Sequence, residues 1–148
     1  MHHKLINYVG IDYKKENCKW IKNYTIKDSF KFDESIYDLL SFSVFKKDFS
    51  HKIIDFFEGS NFLGETYFSN LLILKNFFDI NVEYSTKSNL SKISMKSFNL
   101  NNASIFSLED FNNSNLDIKV FISDLFSNLE NENTINFSIN VTFLINEL

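Results

Sequence analysis

The sequence predicts an all-β fold, a single-domain β-sandwich or barrel-like arrangement of about eight mostly antiparallel strands. Three observations carry this expectation. Apolar and polar side chains alternate over several stretches, most regularly in "INFSINVTFLI" (135–145), and a two-residue period belongs to a strand with one face buried. No stretch shows the apolar recurrence at three and four residues that marks a long amphipathic helix. The chain has no Pro and only 3 Gly, so its turns fall to Asn, Asp and Ser, whose side chains bond the nearby backbone.

The elements follow in order. Residues 18–32 place Trp20, Tyr24, Ile26, Phe30 and Phe32 on even positions, interrupted by Lys22 and Asp28, and read as one or two strands. Asp33 is a cap for a short helical turn opening 33–41. "LLSFSVF" (39–45) and "KIIDFF" (52–57) are dense in aromatic and branched residues and read as two strands. Gly59 and Gly64 bracket "SNFL" as a turn. In 70–84, Phe78, Ile80, Val82 and Tyr84 alternate with Asp79, Asn81 and Glu83, while Leu71 to Leu74 are apolar on both faces. That combination suits a strand running through the middle of a sheet. In 92–100, Ile93 and Met95 are assigned inward and Ser94 and Lys96 outward, with a register slip near Ser97 that a β-bulge would absorb. A short apolar-centred segment (101–110) and a loop (111–115) follow. Residues 116–126 set Ile118, Val120 and Ile122 on one face, and 127–134 is a polar turn.

The last strand raises a problem of its own. Its second face, Asn136, Ser138, Asn140 and Thr142, carries no charge. A bare edge on so apolar and neutral a strand would pair with other chains. Those four residues are therefore the candidate partner-facing set, and self-assembly is a second outcome the strand permits.

At 148 residues the chain (1–148) is read as one domain, large enough to bury a core without a staple. Its 18 Phe supply much buried area. The 20 Asn and the absence of Arg fit an AT-rich coding bias. All 15 positive charges are Lys, which act as point charges and do not grip anions bidentately. With a net charge of −4 and a pI near 5.3, nucleic acid is not an expected partner. Cys18 is the only cysteine, so no internal disulfide is expected. The first twenty residues hold no apolar run of signal-peptide length, so synthesis in the cytoplasm without a signal peptide is expected.

Little in the sequence resembles catalytic machinery. His51 and Asp55 are four residues apart in a segment read as strand, where that spacing separates them. Cys18 has no neighbouring His, Asp33-Glu34 and Glu109-Asp110 suit solvated turns, and "ENEN" (130–133) lacks the Gly of a calcium loop. No catalytic, cofactor-binding or metal-ligating residue is assigned, no cofactor is expected, and the chain is read as a non-enzyme. Cations cluster at Lys14-Lys15 and at Lys46, Lys47, His51 and Lys52. The second group is the candidate patch for anionic lipid headgroups, including phosphoinositides, and is otherwise a solvated face.

From about 33 to 148 the order of segments resembles the SPOCS domain of clostridial spore-coat morphogenetic proteins. The matching stretches are "GSNFLGETYFSNLLILKNFFDINVEY" (59–84), "SFNLNNASIFSLED" (97–110), "IKVFISDLF" (118–126) and "NTINFSINVTFLI" (133–145). Lys75-Asn76 stands where that family has a Gly, and Asn133 where it has an Arg. The chain also resembles the small accessory proteins of orfX clusters beside botulinum neurotoxin genes. That resemblance implies a non-catalytic, protein-binding accessory role beside a larger, lipid-binding-type protein of the same gene cluster, in a hetero-complex released with a toxin. The alternative it leaves is a structural or assembly protein of the spore coat.

Overall fold

The computed structural model describes residues 18–60, 62–108 and 115–148, and these contain six β-strands and no helix. The strands are β1 (Trp20–Lys31), β2 (Ile36–Ser60), β3 (Thr66–Thr86), β4 (Ser94–Leu108), β5 (Leu116–Asn131) and β6 (Thr134–Glu147). Every pairing is antiparallel. Two three-stranded sheets result: sheet A in the order β1-β6-β5 and sheet B in the order β2-β3-β4.

The all-β antiparallel expectation holds, but the strand count is corrected from about eight to six among the described residues. Two of the predicted breaks are not breaks. Residues 46–51 are polar enough to read as a turn, yet they pair with β3, and a bulge between Lys46 and Asp48 absorbs the irregularity. Asn101 and Asn102 likewise sit inside the β3–β4 ladder, opposite Phe77 and Asn76. The bulge expected near Ser97 is absent, because β3 and β4 pair without a register shift. The inward assignment there is also reversed. Ile93 and Met95 are exposed, while Lys96 lies opposite the core residue Val82. Its ammonium sits 5.3 Å from the Phe32 ring centroid and 5.8 Å from that of Phe98, so a cation–π contact replaces apolar packing at this sheet edge. Asp33 and Glu34 form a bend, not a helical turn.

The two sheets share one core. From β6 it takes Ile135, Phe137, Ile139, Val141, Phe143 and Ile145, and from β3 Leu72, Leu74, Phe78, Ile80 and Val82. Rings bridge the layers: Phe30 stacks on Phe98 at 3.8 Å, Phe42 meets Phe137 at 5.5 Å, and Phe106 meets Phe143 at 5.5 Å. Phe42, Phe137 and Phe143 are buried and Phe30, Phe98 and Phe106 half-buried; a fully buried ring of this kind contributes roughly 1.5–3 kcal/mol. The arrangement is sandwich-like, with no ladder joining sheet A to sheet B among the described residues.

The neutral strand 135–145 has no bare edge. β6 is the central strand of sheet A, paired along its length with β1 on one side and β5 on the other. The outer strand β1 takes the edge instead, and Lys22 and Asp28 lie opposite the inward residues Phe143 and Phe137. Charges on the core side of an edge strand discourage further pairing, which explains the two interruptions in that apolar row.

One end of the sandwich is stitched by its loops. The Phe32 amide donates to the Asn133 carbonyl at 2.7 Å, and the Lys87 amide to the Ser35 carbonyl at 3.1 Å. The Lys87 ammonium pairs with the Glu132 carboxylate, which also faces the Ser35 hydroxyl. The hydrogen bond and the charge of Lys87 hold the Glu132 carboxyl below the usual carboxylate range. The opposite end is different. β4 stops pairing at Asn70–Leu108, and beyond it, among the described residues, β2 and β3 pair only with each other from Phe57–Ser69 to Ser60–Thr66. This two-stranded ribbon forms an arm.

Candidate functional site

Three surfaces compete as functional sites: the cationic group on β2, the outer face of sheet A, and the arm. The cationic group does not form one patch. Lys46, Lys47, His51 and Lys52 are all exposed, but adjacent strand residues point to opposite faces. Lys46 and His51 lie opposite the core-facing Phe78 and Leu74, whereas Lys52 lies opposite the outward Ile73. The Lys46 ammonium is 5.3 Å from the Phe49 ring centroid. Lys47 lines a hollow of about 310 Å³ together with Asp48, Asp79, Asn99 and Asn101. Two carboxylates beside one ammonium leave that hollow no net attraction for an anion. Lys14-Lys15 lies outside the described residues.

The outer face of sheet A holds Asn136, Ser138, Asn140 and Thr142. Central placement gives them neighbours on both sides, and Thr142 is buried. Two of the four are already used within the sheet. The Thr142 hydroxyl donates to the Asn23 side-chain oxygen at 2.8 Å, and the Thr25 hydroxyl to that of Asn140 at 2.7 Å. The Ser123 hydroxyl closes the same region by donating to the Asn140 carbonyl at 3.1 Å. Asn136 and Ser138 instead line an open hollow of about 520 Å³ with Lys27, Asp28, Ser29, Phe126, Asn128 and Phe137. The neutral face thus divides into a half that satisfies itself and a half that stays available.

The arm ends in a turn whose described residues, 62–65, are exposed. Phe62 is 95% exposed and Leu63 67%. Gly64 has φ +81°, a conformation that side chains disfavour and that closes the turn. Gly59, expected to flank the turn, is a ladder residue opposite Tyr67. Near the base of the arm, Ile54 and Ile105 are exposed on the outer face of sheet B, opposite Leu71 and Ile73. The bracketing glycines mark this turn in the sequence but do not by themselves give it a role. Its signal was available: two large apolar residues between glycines in a segment that needs no core contact.

The residues weighed for catalysis stay apart. His51 and Asp55 are four positions apart on β2, a span of about 13 Å in extended chain. Cys18 is half-buried ahead of β1, and Glu109-Asp110 lies outside the described residues. Of "ENEN", Glu132 is committed to Lys87. Among the described residues no three His, Cys, Asp or Glu side chains gather where they would hold a metal ion. Compared with known proteins, the chain matches no family model, no curated protein and no solved structure.

Proposed function

We propose that the chain is a non-catalytic binding module that docks a larger protein through the arm. The observation that carries this reading is the exposure of Phe62 and Leu63 at the tip of a two-stranded ribbon. Large apolar side chains held in water are costly, and on a soluble surface they mark sites that a partner covers. A two-stranded ribbon is also only marginally stable alone, so a partner that packs on it contributes to both molecules. Ile54 and Ile105 are a second exposed apolar pair, at the base of the arm on sheet B.

The resemblance to the SPOCS domain and to orfX-cluster accessory proteins puts the larger proteins of such a cluster first among partners. Contact with an anionic headgroup through Lys46, Lys47, His51 and Lys52 receives no support from their division between two faces. Co-expression with each larger protein encoded beside this chain, followed by size-exclusion chromatography, tests the reading. A stable hetero-complex is expected, and Phe62→Asp with Leu63→Asp abolishes it while circular dichroism stays that of a β-protein. A complex indifferent to both substitutions overturns docking through the arm. Particle growth without limit as the isolated chain is concentrated overturns the accessory role in favour of coat-like self-assembly.

A further inference from the structure

We infer that the open hollow on the outer face of sheet A is a binding site for a neutral carbohydrate. It lies on sheet A, away from the arm on sheet B, and does not depend on the docking reading.

The hollow is built from two adjacent rows that cross all three strands of the sheet. Ser29, Asn136 and Asn128 form one row, and Lys27, Ser138 and Phe126 the other, as the strand register dictates. Neighbouring columns are about 4.8 Å apart and the rows about 7 Å apart. The volume, about 520 Å³, falls within the range of small-molecule sites.

The chemistry of the lining selects the ligand class. Two primary amides and two hydroxyls offer donors and acceptors side by side, the pattern that pairs with adjacent hydroxyls of a sugar ring. Phe126 is 40% exposed, so its ring offers an apolar face against which the C–H face of a pyranose packs. Lys27 lies beside Asp28, which registers on the core side of β1 but is exposed at the sheet edge and also lines the hollow, so the two opposite charges leave it favouring neither an anion nor a cation.

The rest of the same face contrasts with the hollow. In the next two rows of the same face, Thr25 bonds Asn140 and then Thr142 bonds Asn23, so those polar groups are consumed within the sheet. Among the described residues, the side chains of Lys27, Ser29, Asn128, Asn136 and Ser138 make no such bonds. A polar surface that is left unpaired and concave, beside an exposed ring, is equipped to exchange water for ligand hydroxyls. A site built to hydrogen-bond hydroxyls also discriminates against ligands that lack them.

Saturation-transfer difference NMR on the whole chain, with lactose, maltotriose, cellotriose and chitotriose as probes, tests the site. At least one of these is expected to bind with a Kd of about 1 mM or tighter. Phe126→Ala and Asn136→Ala each weaken that binding at least tenfold. Asn128→Ala weakens it as well, and it supplies a second reading should Asn136→Ala unfold the chain. Ser97→Ala, on the outer face of sheet B, leaves it unchanged. No transfer to any of the four sugars at about 20 mM overturns the inference, as does binding that survives both Phe126→Ala and Asn136→Ala.

Discussion

The central strands of the two sheets, β6 and β3, carry the same inward pattern except at one residue. The inward row of β6, from Ile135 to Ile145, is apolar throughout. The inward row of β3 runs Leu72, Leu74, Asn76, Phe78, Ile80, Val82, with an amide in the middle. Asn76 is 1% exposed, and neither its nitrogen nor its oxygen finds a hydrogen-bond partner among the described residues. Ser104, on the facing strand β4, is buried and unpaired as well. The central strand of sheet A therefore presents a continuous apolar row, whereas that of sheet B carries an unsatisfied amide at its centre; the buried, unpaired hydroxyl of sheet A, Ser127, lies on its outer strand β5.

Four substitutions sharpen that comparison, in falling order of effect. Ile139→Ala opens a cavity in the continuous layer and is expected to lower unfolding free energy by about 2–5 kcal/mol, read by urea denaturation. Asn76→Leu is expected to raise it by about 1–3 kcal/mol, because it removes a buried unpaired amide at similar volume. A loss on Asn76→Leu would instead show that the amide is bonded in solution. Thr142→Val removes the bond to Asn23 and is expected to cost about 1 kcal/mol, since Asn23 is exposed and turns to water.

Glu132→Gln gives the smallest change, and its dependence on pH identifies it. The Glu132 carboxyl is held low by Lys87. Its stabilisation is complete above the ordinary range of an unfolded glutamate and fades as pH falls through the lower folded value. Wild type and Glu132→Gln should therefore differ slightly in urea midpoint at neutral pH and converge in strong acid.

The same contrast explains what was legible in the sequence. β6 alternates without exception, so its inward and outward faces are readable directly. The central place of β3 is readable too, from Leu71 to Leu74 being apolar on both faces. The continuity of β2 is not, because polar residues such as Lys47 and Ser50 occupy an edge strand that water also satisfies, and local composition there resembles a turn. β4 misleads for a related reason: Lys96 faces inward at an edge where its stem covers Phe32 and Phe98, so the expected polarity of the two faces inverts. The candidate sites divide similarly. The neutrality of Asn136 and Ser138 is visible in the chain, but their alignment with Phe126 and Ser29 depends on which strands flank β6, and alternation alone does not specify that.

Hydrogen exchange compares the arm with the sandwich most directly. Backbone amides of 57–69, measured by mass spectrometry with and without the larger partner, are expected to exchange fast in the free chain and to gain protection in the complex, while β6 is protected in both. Unchanged exchange across 57–69, with new protection confined to another surface, would contradict docking through the arm.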